Sequence, residues 1–384
     1  MKKYKLGSLF AGIGGIGLGF QLAKIEEAGY EVIWANEIDT DACRTYKENF
    51  NHLLLEGDIN LIIHPDKADD KIKNEEYYQE LQKMMMSEKI DIIDAGFPCQ
   101  AFSIAGERRG FEDERGNLFW SIINTVLLHE ETFGEKPRIL FLENVKNLKS
   151  HDKGNTYKVI KSEIEKLGYI VKDTIINTMD VTDLPQNRER IYIVCFRDKK
   201  DADAFNLFDN IEDIKVNRTA KEWAEKVKKI IDYNNKVDKK YYYTKEKYPR
   251  YFITEEEYQR IPLEEKRDVR INLDEGITEK YQFYQVRRGM YIRKNKSNVC
   301  PTLTANMGTG GHNVPLIKDN YGIRKLTPNE TLRLQGFPTH EGYSSPCSDA
   351  MIYKQAGNAV SVPVIKLIAK ELLKVLYSND KKLK

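Results

Sequence analysis

Up to Phe196, apolar positions fall into short continuous runs that alternate with stretches apolar at helical spacing. Lys5 to Phe10 predicts a first strand, and a glycine-rich turn, Ala11 to Gly17, leads from it into a helix through Ala28, closed by Gly29. Glu31 to Asn36 predicts a second strand. Ile90-Asp91-Ile92-Ile93-Asp94-Ala95 reads as a buried strand bounded by Gly96. Leu118, Phe119, Ile122, Ile123, Val126 and Leu127 mark a helix from Asn117 to Glu130. Strands follow at Pro137–Leu142, Tyr169–Asn177 and Ile191–Phe196, and an amphipathic helix at Asn155–Leu167 is stopped by Gly168. Strands alternating with helices predict an α/β chain with a doubly wound, Rossmann-like sheet. The charged segment Asp66 to Glu88 is an insertion, a helix packed by one apolar stripe.

After Phe196 the alternation is lost until about Asn320, which predicts a second, smaller domain. It resumes with Thr327 as N-cap and Pro328 as first helical residue of a helix to about Gln335, and with an apolar helix from Ser361 to Tyr377.

Charge changes this picture little. Lys and Arg number 61 against 59 Asp and Glu, so any basic surface must come from local segregation. Two segments have that character. Lys226 to Phe252 interleaves lysines with Tyr233, Tyr241, Tyr242, Tyr243, Tyr248 and Tyr251, and a second patch holds Tyr284, Arg287, Arg288, Tyr291, Arg293, Lys294 and Lys296. Lysine and arginine contact phosphates, while rings either stack on bases or pack a core. Five widely spaced cysteines with no Cys-x-x-Cys pair point to neither a zinc site nor a disulfide framework, and to a reducing, cytoplasmic setting. No signal peptide or membrane span is expected.

Candidate chemistry gathers where strands end. Gly12, Gly14 and Gly17 fit G-x-G-x-x-G between a strand and a helix, and Glu37 ends the second strand, where a carboxylate accepts ribose hydroxyls. Taken alone, that pattern admits NAD, FAD, S-adenosylmethionine or merely a tight turn. Cys99, after Gly96-Phe97-Pro98, stands where open α/β sheets place their chemistry.

The run Gly96-Phe97-Pro98-Cys99-Gln100-Ala101-Phe102-Ser103, continuing through Gly106 and Arg115-Gly116-Asn117, resembles the nucleophile loop of the DNA (cytosine-5) methyltransferases. Phe10-Ala11-Gly12-Ile13-Gly14-Gly15 is similar to that family's S-adenosylmethionine loop, Glu143-Asn144-Val145 to its acid motif, and Gln186-x-Arg188-x-Arg190 to its Gln-x-Arg-x-Arg motif. The resemblance spans Leu6 to Ala369 and fails only in the variable segment. It implies an S-adenosylmethionine-dependent catalytic domain (1–196 plus 355–384), a target recognition domain (197–323) and a connecting segment (324–354). It implies Cys99 as nucleophile toward C6 of cytosine, Glu143 on N3 and the exocyclic amine, Arg188 on O2, and Arg190 in support. For the cofactor it implies Phe10, Gly12, Ile13, Gly14, Gly15, Glu37, Ile38, Asp58, Ile59, Gly96, Pro98, Leu118 and Asn358. Ile38 departs from the aromatic residue common at its position. For DNA it implies Gln100, Ser103, Ala105, Gln186, Thr302 and Leu303, with Ala105 standing where some members carry serine. The implied partner is double-stranded DNA, acted on by a monomer without membrane or metal, with a cognate restriction endonuclease acting separately.

Three other readings remain beside this one. The tRNA-methylating branch of the family carries Pro-Pro-Cys-Gln, not Gly96-Phe97-Pro98-Cys99. A DNA-binding module without chemistry would not need Cys99, Glu143 and Arg188. A dehydrogenase explains nothing after Glu37.

Overall fold

The computed structural model describes residues 1–68, 74–97, 118–266, 270–287, 291–295, 298–309 and 313–382. By backbone packing the chain divides into two units. The first comprises Met1–Asn177, Glu189–Lys215 and Val360–Lys384, the second Thr178–Arg188 and Val216–Ala359.

The first unit is built on seven strands: β1 (Lys2–Leu9), β2 (Ala28–Glu37), β3 (Leu53–Glu56), β4 (Ile92–Gly96), β5 (Ile139–Val145), β6 (Ile170–Asn177) and β7 (Glu189–Phe196). Their order across the sheet is β3-β2-β1-β4-β5-β7-β6. All pairs are parallel except those of β7, which runs antiparallel to both β5 and β6. The strand order reverses between β1 and β4, and ligands of open α/β sheets bind at the carboxyl ends of the strands flanking such a reversal.

The central strands are apolar on both faces because helices cover both. Leu9, Ile93, Ala95, Leu140, Leu142 and Ile193 face a core shared with residues of the helices Ile59–Ile63, Glu75–Met85, Leu118–Phe133 and Asn155–Lys166. On the other face lies the helix Gly15–Leu22, whose Phe20 meets Phe141 and Tyr30 edge-on. Burying that ring contributes about 3 kcal/mol. Gly19 lets the same helix close on Val362–Lys381: a Cβ there would stand 2.5 Å from the Cβ of Ile365.

The expected helix through Ala28 stops at Leu22, and Ala28 opens β2. The residues between form a turn, with the Ile25 amide donating to the Ala28 carbonyl, and Gly29 lies within the strand.

The second unit carries a four-stranded sheet in the order β11-β10-β8-β9. Its strands are β8 (Tyr284–Arg287), β9 (Tyr291–Lys294), β10 (Leu316–Lys318) and β11 (Ile323–Lys325). They pack on Tyr243, Phe252, Ile271, Leu273 and Ile277. Fully buried Arg324 is held by Asp319 at 2.6 Å and Glu330 at 2.7 Å. Thr327 caps the helix Pro328–Leu334 as expected, and Glu330 completes a capping box.

The unit boundaries differ from the expected ones at three places. Residues 178–188 join the second unit, where the Val216 amide donates to the Asp180 carbonyl and Arg218 to the Thr182 carbonyl. Residues 197–215 stay with the first, tied by the bidentate pair of Arg138 with buried Asp201. The segment 324–359 belongs to the second. In the Lys226–Phe252 stretch the rings of Tyr233, Tyr241, Tyr242 and Tyr243 are buried, while Lys226, Lys228, Lys240 and Lys245 pair with carboxylates. Those four rings serve packing, and those four lysines are paired at the surface.

One buried charge in the sheet has a measurable consequence. Asp94 on β4 stands beside Ser8 on β1, whose hydroxyl donates to it at 2.5 Å, and its other oxygen has no hydrogen-bond partner among the described residues. Burial pushes the Asp94 carboxyl up to about 7, against the lowering effect of the Ser8 hydrogen bond. In the unfolded chain the group ionises near pH ~3.9. Between these values the folded protein holds a proton that the unfolded chain has lost, so stability falls as pH rises from about 4 to about 7. Asp94→Asn keeps an acceptor for Ser8 and removes the titration. It is expected to stabilise the fold at pH 8 relative to wild type by on the order of a few kcal/mol, seen as a higher unfolding midpoint, and to give no such gain at pH 4. Equal changes at both pH values, measured by thermal unfolding, would contradict the buried charge.

Candidate functional site

The loop after β1 is shaped by its backbone. Phe10 has φ 54°, Gly12 φ 57° and Gly14 φ 85°. A non-glycine residue in the left-handed region costs of order 1–3 kcal/mol and tends to mark a functional loop. At Gly14 a side chain is excluded twice, by φ and by the Phe50 ring, which a Cβ would approach to 2.2 Å. Gly14 caps the helix Gly15–Leu22, whose first amides point out of its N-terminus.

Glu37 fastens this loop. One carboxylate oxygen accepts the Gly12 amide at 2.7 Å, and the other accepts the amides of Ile38 and Asp39 at 2.8 Å. Two carboxylate oxygens offer about four acceptor sites, so capacity for a hydroxyl remains. Ile38 is 65% exposed beside it, an apolar surface at the rim of the sheet. Asp58 caps the short helix Ile59–Ile63 through the Asn60 amide.

The ends of β4 and β5 bring a second group together. Gly96 pairs with Glu143 in register, and a Cβ on Gly96 would stand 3.7 Å from a Glu143 carboxylate oxygen. Glu143 is buried, and Arg190 at the start of β7 reaches it with Nε at 3.1 Å. Asn144 points its amide at the Phe97 carbonyl, 2.8 Å away, and so holds the backbone just ahead of Pro98. In the sequence, the signal for this backbone anchor is the amide of Asn144 next to the strand-end carboxylate of Glu143.

In the second unit, Arg188 is buried and donates to the carbonyls of Leu303 (2.9 Å), Gly357 (3.2 Å) and Ala359 (2.5 Å). Gln186 is also buried, donating to the Leu334 carbonyl at 2.7 Å and accepting the Leu303 amide at 3.3 Å. Gly357 permits this junction, since a Cβ there would lie 2.2 Å from the Thr304 carbonyl carbon.

The profile of the C-5 cytosine-specific DNA methylase family matches residues 4–374. The chain belongs to that family. Type II methyltransferase M.Bsp6I of Bacillus sp. (strain RFL6) is 42% identical over 373 residues, covering 96% of this chain and 98% of that protein. Type II methyltransferase M.HpaII of Haemophilus parainfluenzae is 35% identical over 378 residues, covering 98% and 90%. The crystal structure of S. pombe Dnmt2 methyltransferase shares the fold, with TM-score 0.61 at 17% identity over 97% of this chain and 99% of that one. The doubly wound architecture and the resemblance read from the motifs agree with these matches.

This methyltransferase uses S-adenosylmethionine, and the first unit suits it. The left-handed glycine loop, the outward amides of Gly15–Leu22, Glu37 with acceptor capacity and exposed Ile38 all lie at the carboxyl ends of β1 and β2. The positions of four other expected contacts are these. The side chains of Ile13 and Ile59 are buried, Leu118 opens its helix half-buried against the core, and exposed Asn358 ends the helix Asp349–Asn358 of the second unit. Pro98, Cys99, Gln100, Ser103 and Ala105 lie outside the described residues.

Arg188 gives its two terminal nitrogens to main-chain carbonyls, and Gln186 gives its amide to the Leu334 carbonyl and the Gln335 side-chain oxygen. Within the first unit the cation beside Glu143 is Arg190. Leu303 is a buried peg, 1% exposed, whereas Thr302 stands at a polar cleft and donates to the Asn187 carbonyl. Alternation along a strand put Gln186, Arg188 and Arg190 on one face, but β7 begins only at Glu189.

Three of the described cysteines, Cys43, Cys195 and Cys300, are buried and so are poor nucleophiles. Burial pushes the Cys43 thiol up to about 12 and also raises Cys195 and Cys300.

Arg188→Lys leaves one ammonium to serve three carbonyls. We expect a loss of about 2 kcal/mol and a fall in unfolding midpoint of about 5 °C, read by calorimetry. Arg190→Lys, which keeps a cation beside Glu143, should fall less. An unchanged midpoint for Arg188→Lys would contradict the clamp.

Proposed function

We propose that this methyltransferase acts on a cytosine turned out of duplex DNA, through a covalent bond between the Cys99 sulfur and C6. The observation that carries the reading is the alignment of Gly96 with Glu143 at adjacent strand ends, with Arg190 on Glu143, in a chain where Pro98-Cys99-Gln100 follows Gly96 by one residue.

Cytosine C5 is a poor nucleophile. Attack of the Cys99 thiolate on C6 breaks ring conjugation and makes C5 enamine-like, which divides one hard step into two easier ones. Glu143 would hold N3 and the exocyclic amine, so that charge entering the ring is met by a proton at N3. With Arg188 engaged by carbonyls, the residue we assign to O2 is Arg190, which also orients Glu143. S-adenosylmethionine, when bound, supplies the electrophilic methyl group. A base then takes the C5 proton, the C6–sulfur bond breaks, and the thiolate returns. A stacked base cannot be reached in this way, so the cytosine must leave the duplex at a cost of a few kcal/mol.

The similarity to Type II methyltransferases supports a modification enzyme whose counterpart is a separate restriction endonuclease of the same sequence specificity, and we propose that it acts as a monomer.

Cys99→Ala is expected to reduce methyl transfer to duplex DNA below detection while S-adenosylmethionine affinity stays unchanged. Glu143→Gln should lower turnover by about 10²–10⁴-fold. Tritiated-methyl incorporation and titration calorimetry measure the two quantities. Turnover by pure Cys99→Ala protein would remove Cys99 from the nucleophile role.

A further inference from the structure

Strands β8 and β9 form a two-stranded ribbon with unlike faces. Gln285 pairs with Arg293 and Arg287 with Tyr291, while Tyr284 pairs with Lys294 and Val286 with Ile292. Side chains alternate along a strand, so Gln285, Arg287, Tyr291 and Arg293 share one face. The other face is committed to the core through Tyr284, Val286 and Ile292, the last lying 2.3 Å from where a Gly276 Cβ would stand.

The first face lines a cleft of about 750 Å³ within the second unit, together with Thr302, Thr304, Asn306 and Asn313. None of its described lining residues is acidic. Arg287 and Arg293 are exposed and have no hydrogen-bond or ion-pair partner among the described residues. Elsewhere in the same unit Arg218, Arg270, Arg324 and Arg333 each pair with a carboxylate. Two guanidinium groups held by a packed ribbon, with no carboxylate among the described lining residues and beside amides and hydroxyls, form a surface shaped for hydrogen-bond readout.

We propose that the β8–β9 ribbon enters the major groove of the target and that Arg287 and Arg293 each read a guanine of the recognition sequence. The inference rests on the DNA-cytosine methylation reading above. A two-stranded ribbon fits the major groove, about 12 Å wide, and a guanidinium fork matches the O6 and N7 acceptors of guanine. Gln285, cross-strand from Arg293, has the donor–acceptor pair that suits adenine N6 and N7.

The test uses the full-length protein. Wild type, Arg287→Ala, Arg293→Ala and Lys294→Ala methylate unmodified DNA, and bisulfite sequencing maps the product. Rates are then measured on duplexes in which each guanine of the wild-type motif is replaced in turn by 7-deazaguanine. We expect each arginine variant to relax the motif at one G·C position, with discrimination there reduced about tenfold or more, and to become insensitive to 7-deazaguanine at that position. Lys294→Ala, adjacent in sequence but on the core side of the ribbon, should keep the wild-type motif. Thermal unfolding checks each fold, and Arg→Gln replaces an alanine variant that does not fold. Arginine variants that methylate the wild-type motif alone, at full or uniformly reduced rate, would overturn the proposal, because phosphate contacts behave that way. Folded variants with no measurable methylation of any duplex would also overturn it, since one base contact does not carry all of binding. Wild-type protein that leaves no 5-methylcytosine in any DNA would instead refute the underlying reading.

Discussion

The first unit depends on the reversal of strand order between β1 and β4. Chain leaving β1 and chain leaving β4 diverge there, which opens a crevice at their carboxyl ends. The left-handed turn from Phe10 to Gly14 follows β1, and Gly96 ends β4 beside Glu143 of β5. Because strand pairing is rigid, the separation of cofactor loop and acid is set by register and not by flexible side chains. Antiparallel β7 adds the cation: Val145 pairs with Arg190, two positions beyond the Glu143–Tyr192 pair, which brings Arg190 onto Glu143.

The second unit obeys a different constraint. Its junctions are made by polar side chains that satisfy buried carbonyls, namely Arg188, Gln186 and Arg324. An unsatisfied buried polar group costs about 1–3 kcal/mol, so these donors are committed to the fold. Among the described residues, Arg287 and Arg293 on the outward face of the β8–β9 ribbon are not committed in this way. The unit thus separates charges that hold it together from charges that face a cleft, a division that net charge does not reveal.

Much of the first unit was legible in sequence because it repeats one rule, a short apolar run followed by helical spacing. The strands around Ile92, Leu140 and Ile193 came out within a few residues, as did the helix starts at Thr327 and Ser361. The helix expected through Ala28 failed because Ile25 and Ala28 are apolar in either a helix or a turn-and-strand. Motifs carried the site further than periodicity did, since spacing alone left a glycine loop and isolated acids. They did not separate Arg188 from Arg190, because residue type says nothing of whether a guanidinium meets a carboxylate or a carbonyl. The tyrosines near Lys240 were ambiguous for the same reason, and burial decided them.

In the proposed mechanism, carbon–sulfur bond formation at C6 precedes methyl transfer. A 5-fluoro substituent leaves C5 with no proton to lose after methylation, so an enzyme of this mechanism should be trapped on its substrate. Full-length protein is incubated with S-adenosylmethionine and duplex DNA in which every cytosine is 5-fluorocytosine, then denatured and examined by intact-mass and peptide mass spectrometry. A stable protein–DNA adduct mapped to Cys99 and carrying one added methyl group is expected. Free protein in a preparation that turns over ordinary DNA, or an adduct at another residue, would contradict that mechanism.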